Sequence, residues 1–121
     1  MFSHIFVGAD DIDQAKAFYD ATLGVEPGVI DPKGRIFYRT EDGVFGITLP
    51  LDGEAATGAN GGTIGFAAAS PEAADAWHAA GLAAGGTTCE DPPGVREGSG
   101  LYLAYLRDPA GNKLCALHPM S

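Results

Sequence analysis

Apolar and polar positions in the first fifty residues follow two different periods, which predicts one helix among four strands. Residues 2–7 alternate and carry aromatic and β-branched side chains, as strands do. Apolar residues then recur at helical spacing: Ile12, Ala15, Tyr19 and Leu23. Three further strand-like runs follow at 25–31, 36–40 and 44–49, separated by Pro- and Gly-containing turns. The predicted order is strand, helix, strand, strand, strand.

Both predicted helices have clear end signals. Asp11 can cap the first helix, with Gln14 reaching back as its partner in a capping box, and Gly24 is placed to end it. Ser70 is a good cap for the second helix because Pro71 follows at the first helical position. These signals fix where each helix begins.

The second half of the chain repeats the order of the first. Residues 51–61 are poor in large apolar side chains and are predicted to be a linker. A strand at 63–68, a helix with the apolar spacing of 74, 77, 81 and 84, and strands at 87–91, 101–107 and 113–117 follow. Three pairs lie 59 residues apart: His4 and Thr63, Ala15 and Ala74, Phe18 and Trp77. We therefore expect one α+β domain over 1–121, made of module one (1–50) and module two (62–121), each βαβββ.

Charge and cysteine content narrow the function classes. Seven Lys and Arg against sixteen Asp and Glu give a formal net charge of −9, so phosphate backbones and anionic membrane surfaces should be repelled, and we expect no nucleic-acid or membrane partner. No apolar run approaches the roughly 20 residues of a bilayer span, and no secretory signal pattern opens the chain. Cys89 and Cys115 lack paired-ligand spacing, which indicates free thiols in a cytoplasmic protein.

Four segments in this order resemble the vicinal-oxygen-chelate superfamily, which includes glyoxalase I, extradiol dioxygenases, fosfomycin-resistance thiol transferases and bleomycin-resistance proteins. They are His4-Ile5, Ala17-Phe18-Tyr19 with Leu23-Gly24, Thr63-Ile64-Gly65-Phe66, and Asp108-Pro109-Ala110-Gly111-Asn112-Lys113-Leu114. The resemblance implies paired βαβββ modules around a U-shaped cavity and a homodimer. It leaves open whether the paired modules come from one chain or from two.

The same resemblance locates the metal-binding positions of the family. Matched by motif, they fall at His4, Thr63 and Cys115, with a fourth position at Thr48. Only His4 is an ordinary ligand for the hard divalent ions that such enzymes use, and about three protein ligands are needed to hold a catalytic metal. We therefore expect no cofactor and no functional divalent-metal site, with His4 as the one weak candidate ligand.

His4, Tyr105 and Cys115 are the candidate catalytic residues. His4 is either a hydrogen-bonded imidazole in a polar cavity or a general base. Cys115 shares a strand face with Lys113 and Leu117, opposite Leu114 and Ala116. It is either a small buried hydrophobe or a nucleophile activated by His4 or Lys113.

Ligand contacts are expected from a wider set of side chains. Tyr105 matches a cavity-facing tyrosine position of the family, although aromatic residues also favour strands for their own sake. Arg39 and Arg96 are candidate anchors for an anionic substrate, although most lone arginines are merely solvated. The candidate ligand-binding residues are Arg39, Thr48, Thr63, Leu103 and Lys113. Residues 91–100 are either a lid or a connecting loop.

Three functions compete. The first is a protein that binds a small organic molecule without metal, to sequester it or to transform it. The second is a metal-dependent lyase, isomerase or thiol transferase of the glyoxalase kind, which rests on family analogy. The third is an interaction subunit whose cavity is filled by side chains. Whether the protein is an enzyme stays open.

Overall fold

The computed structural model describes residues 1–120, and its elements follow the predicted repeat. Module one contains β1 (His4–Gly8), α1 (Ile12–Thr22), β2 (Val29–Ile30), β3 (Ile36–Thr40) and β4 (Gly43–Thr48). Module two contains β5 (Ile64–Ala67), α2 (Pro71–Ala83), β6 (Thr87–Thr88), β7 (Gly94–Arg96), β8 (Leu101–Arg107) and β9 (Lys113–Pro119). The α+β class with two βαβββ-like modules is confirmed. Ser121, the last residue assigned to module two, lies outside the described residues.

Each module folds its strands into one mixed sheet. The strand order is β1-β4-β3-β2 in module one and β5-β9-β8-β6 in module two, where β7 also pairs with β8. The pairs β1–β4 and β5–β9 are parallel, and the remaining pairs are antiparallel. β1 and β5 are therefore edge strands, each with one side that pairs with no strand of residues 1–120.

The two helices begin at the predicted caps. Asp11 Oδ1 accepts the Gln14 backbone N–H at 3.0 Å, and Ser70 Oγ accepts the Ala73 N–H at 3.0 Å. Each bond satisfies one of the amide groups that a helix start leaves without an internal partner. Within the part of the chain that is described, neither helix is long and apolar enough to cross a membrane.

Strand lengths differ from the predicted ones where the backbone bonds elsewhere. The strand predicted over 25–31 keeps only β2, because the Gly28 N–H donates to the Asp20 side chain at 2.8 Å instead of to a strand. The one predicted over 87–91 keeps only β6, since Glu90 has φ +57°, outside the β region. Conversely, β7 lies inside the 91–100 segment and pairs with β8.

One hydrophobic core fills the space between the sheets and the helices. Its fully buried large side chains are Tyr19, Phe18, Ile36, Ile47, Leu106 and Leu114. Gly81 lets α2 approach this core, because a Cβ there would collide with the Leu106 side chain. Glycine inside a helix costs about 1 kcal/mol relative to alanine, and the close packing of α2 on β8 offsets that cost.

The turn between β8 and β9 joins the two modules. The buried Asp108 carboxylate accepts bonds from the Tyr19 hydroxyl at 2.5 Å and from Asn112 through its backbone N–H and Nδ2, both at 2.8 Å. Asn112 Nδ2 also donates to the Gly8 carbonyl at the end of β1, at 3.0 Å. Burial and the neighbouring carboxylate raise the pKa of Tyr19, so its phenol stays a proton donor.

The faces of the sheets that point away from the helices are called here the open faces. In module one the open face carries Phe6, Phe37 and Arg39, which alternate with core residues such as Val7, Ile36 and Tyr38. In module two it carries Leu103, Tyr105, Lys113 and Cys115, which alternate with Ala104, Leu106, Leu114 and Ala116. The face predicted for Cys115, opposite Leu114 and Ala116, is therefore confirmed.

Replacing Tyr19 with phenylalanine tests the junction. The variant leaves the buried Asp108 carboxylate one donor short, and we expect the free energy of unfolding to fall by about 1.5–3 kcal/mol, the usual range for a bond to a charged group. Urea denaturation measures it. Tyr102→Phe is the matched control, because that hydroxyl donates to Asp75 at the surface, and it should lower stability much less. Equal losses in both variants would contradict a special role for Tyr19.

Candidate functional site

Four of the predicted site residues meet on the open face of module two. Tyr105 on β8 lies directly opposite Cys115 on β9, and Leu103 lies opposite Leu117. Lys113 Nζ stands 5.1 Å from the centre of the Tyr105 ring. β8 and β9 place these side chains together because opposite residues of an antiparallel pair share a face.

Two more residues complete this group: Glu90, which the sequence did not indicate, and Arg96, one of the two predicted anchors for an anionic substrate. Glu90 forms an ion pair with Lys113, and Arg96 on β7 lies with its guanidinium carbon 5.8 Å from the Tyr105 ring centre. Arg96 also donates to the backbone carbonyls of Asp91, Pro92 and Gly94, at 2.9–3.2 Å, which ties the 91–94 segment to the sheet. No residue pattern indicates Glu90, since its position depends on its left-handed backbone.

The protonation states on this face follow from burial and neighbouring charge. Burial raises the pKa of the Cys115 thiol and outweighs Tyr105, Arg96 and Lys113, which lower it. Burial also raises the pKa of Tyr105, with Cys115 and Glu90 adding to the effect. The bond to Glu90 raises the pKa of Lys113. At neutral pH the face therefore presents a thiol, a phenol and an ammonium group, and Cys115 lacks the depressed pKa of an activated nucleophile.

The open face of module one is an exposed row of rings and guanidinium groups. His4 meets Phe6 edge-on at 5.7 Å, and Phe6 meets Phe37 edge-on at 5.5 Å between ring centres. The guanidinium carbon of Arg39 stands 4.5 Å from the Phe37 ring centre, and that of Arg35 stands 5.1 Å from it. Phe37 shares the face of Arg39 by strand alternation, so its position beside Arg39 could have been predicted from the sequence.

His4 lies apart from the module-two group. Its Nδ1 is 2.8 Å from Ser3 Oγ, and it lines a cavity of about 310 Å³ between the start of β1, the start of β4 and β5. A second cavity of about 350 Å³ lies beside Trp77 and Ala116. Tyr105, Cys115 and Lys113 line neither of these cavities. The three candidate catalytic residues, His4, Tyr105 and Cys115, therefore do not line a common cavity among these two.

The two threonines lie near strand ends. Thr48 closes β4, and its hydroxyl donates to the Leu49 carbonyl at 2.8 Å. Thr63 is exposed, immediately before β5. Among the hydrogen bonds of residues 1–120, none joins either threonine side chain to the Tyr105 group. The ligand-binding roles of both threonines stay predictions.

Strand register shows which residues of the two modules correspond. Phe6 pairs with Gly46 and, 59 residues later, Gly65 pairs with Cys115. Gly46 is therefore the equivalent of Cys115, whereas Thr48, which pairs with Gly8, is the equivalent of Leu117. The Phe6 ring covers Gly46 and leaves no room for a Cβ there. Module one thus offers no side-chain ligand at the position that corresponds to Cys115.

The residues at the family's metal positions do not fit a hard divalent ion. They comprise the imidazole of His4, the hydroxyl of Thr63 and a thiol whose pKa burial raises. At the fourth position the predicted Thr48 would add a second hydroxyl, whereas Gly46, the equivalent of Cys115 by register, would add no side chain. Across residues 1–120, no group of three or more His, Cys, Asp or Glu could hold a metal ion.

Comparisons with known proteins agree with the fold. A model of the glyoxalase/bleomycin resistance protein/dioxygenase superfamily matches residues 1–116. The crystal structure of a glyoxalase/bleomycin resistance protein from Albidiferax ferrireducens T118 is 61% identical, with 98% of each chain covered and a TM-score of 0.91. No curated protein matches the chain.

More distant structures share the same architecture. A lactoylglutathione lyase from Agrobacterium tumefaciens is 25% identical, covering 97% of this chain and 92% of its own, with a TM-score of 0.71. A glyoxalase-related enzyme from Fulvimarina pelagi is 22% identical, covering 97% and 86%, with a TM-score of 0.77. At 22% identity the likeness shows the fold alone.

Alkylation tests the state of Cys115. Because its thiol is buried and its pKa is raised, we expect iodoacetamide to label it at least about tenfold more slowly than the half-buried Cys89 in native protein at pH 7.5. Peptide mass spectrometry follows both sites, and labelling in urea should remove the difference. Faster labelling of Cys115 than of Cys89 would support the nucleophile.

Proposed function

The chain belongs to the glyoxalase/bleomycin resistance protein/dioxygenase superfamily, and we propose that it binds a small, partly apolar organic molecule without the divalent-metal site of the metal-dependent members. The observation that carries this proposal is the prebuilt group on the open face of module two. Tyr105 and Lys113 supply hydrogen-bond donors there, on the same face as the buried side chain of Leu103. Cys115 contributes a neutral, polarisable wall.

The donor set argues for a metal-free mode of binding. A metal enzyme of this kind needs about three strong ligands and an open position, whereas the matched positions here supply one imidazole and no carboxylate. Tyr105 and Lys113 can instead hold a polar group of the ligand directly, since both carry protons at neutral pH.

A second copy of the chain is proposed to complete the cavity. β1 and β5 each leave one side without a strand partner among the described residues, and free strand edges readily pair with another chain. Placing β1 of one protomer beside β5 of its partner would set the Phe6 and Phe37 face opposite the Tyr105 and Cys115 face. The binding site would then be shared between module one of one protomer and module two of its partner.

Metal analysis tests the metal-free mode. After exhaustive dialysis of untreated protein, we expect mass spectrometry of the elements to find far less than one first-row metal per chain, and His4→Ala to leave that content unchanged. A stoichiometric metal that His4→Ala removes would overturn the proposal in favour of a metal-dependent lyase, isomerase or thiol transferase.

The oligomeric state tests the shared cavity. Light scattering coupled to gel filtration should give twice the 12.4 kDa chain mass. The Ala68 N–H bonds to Leu117 within the sheet, so the Ala67 N–H points to the free edge by alternation. Ala67→Pro should weaken the dimer, because proline removes that edge donor. Ala67→Ser is the control and should remain dimeric; a monomeric parent protein would contradict the shared cavity.

A further inference from the structure

Charge is segregated between the strands and the rest of the chain. The formal net charge is −9, and all sixteen Asp and Glu lie in helices, turns and loops. The strands contain no acidic residue, yet they carry four of the seven Lys and Arg: Arg39, Arg96, Arg107 and Lys113. Most of the positively charged side chains of this acidic protein therefore lie on its β-strands.

All four strand cations lie on the open faces. Arg39 shares the face of Phe37, and Arg107 and Lys113 are opposite one another two positions from Tyr105 and Cys115. Arg96 is opposite Leu101, which is on the same face as Leu103 and Tyr105 by alternation. The surface proposed to receive the ligand therefore carries four of the seven Lys and Arg residues, and Glu90 neutralises one of them, Lys113.

Arg39 is the strand cation that is most available to a ligand. Its side chain is exposed and forms no ion pair with a carboxylate of the described residues. Lys113 is paired with Glu90, and Arg107 donates to the Gly111 carbonyl at 2.8 Å. The guanidinium carbon of Arg39 instead lies 4.5 Å from the Phe37 ring centre. A planar guanidinium that has no carboxylate partner can form two parallel bonds to one carboxylate.

Aromatic surface adjoins this cation. Phe6 is 38% exposed and meets Phe37 edge-on. A flat apolar ligand can stack against such rings while its charged end reaches Arg39.

Building on the proposed function, we propose that the ligand is a small aromatic carboxylate, whose carboxylate Arg39 binds and whose ring packs on Phe6 and Phe37. The cationic faces would repel a positively charged ligand of the same shape. Specificity for an anion thus comes from the charge of the sheets as well as from one bond.

Three probes of one shape and different charge test this inference. Naphthalene-2-carboxylate, naphthalene-2-carboxamide and 2-naphthylmethylammonium are titrated into the full-length protein, and backbone amide shifts are followed by NMR. We expect the carboxylate to bind at least about tenfold more tightly than the carboxamide, as the loss of a charge-assisted bond implies. The ammonium should bind most weakly, and the shifts should centre on β1, β3 and β8.

Arg39→Gln and Lys33→Gln separate the specific contact from net charge. Both remove one positive charge, but Lys33 lies in the exposed turn before β3. Arg39→Gln should weaken carboxylate binding about tenfold and leave carboxamide binding unchanged, while Lys33→Gln should change neither. Equal or preferred binding of the carboxamide or ammonium at the open face would overturn the anion inference alone. Failure of all three probes to bind that face would overturn the proposed cavity as well.

Discussion

The buried carboxylate of Asp108 holds the two modules in their relative positions. It accepts hydrogen bonds from the Tyr19 hydroxyl of module one and from amide groups of its own turn. Asn112 of the same turn also donates to the Gly8 carbonyl of module one. A buried charge is tolerated only when donors surround it, and the Tyr19 hydroxyl on α1 adds a donor from outside the turn to those that Ala110 and Asn112 supply. The helix sides of both sheets are thereby drawn into one core, and the open faces remain outside it.

That arrangement explains why the candidate residues separate within one chain. His4 and Phe6 on one open face and Tyr105 and Cys115 on the other lie on sheets whose opposite sides share the core. In the proposed dimer they would converge on one ligand, because another copy would present the complementary face. Dimerisation and ligand binding are therefore linked in this proposal: the constraint that fixes the fold leaves the site incomplete in the single chain.

Local patterns predicted the elements well, because helix caps and strand alternation act over a few residues. Asp11 and Ser70 begin the helices as expected, and alternation placed Cys115 on the face opposite Leu114 and Ala116. What local patterns could not reveal depends on distant partners. From the sequence, the Asp108 segment indicates only a turn before a strand. Its bond to Tyr19 joins residues that are 89 positions apart. Similarly, β7 forms inside a Pro- and Gly-rich segment only because β8 offers it an edge.

The repeat itself explains the asymmetry of the proposed site. At one equivalent pair of positions, module one has Phe6 beside Gly46 and module two has Gly65 beside Cys115. Each pair combines a glycine with a larger side chain. In module one the larger side chain lies on the edge strand of the sheet, whereas in module two it lies on an interior strand. Joined across a dimer, module one would supply an aromatic and cationic wall and module two a wall of thiol, phenol and ammonium groups. Two modules of the same architecture would thus hold opposite ends of one unsymmetrical ligand.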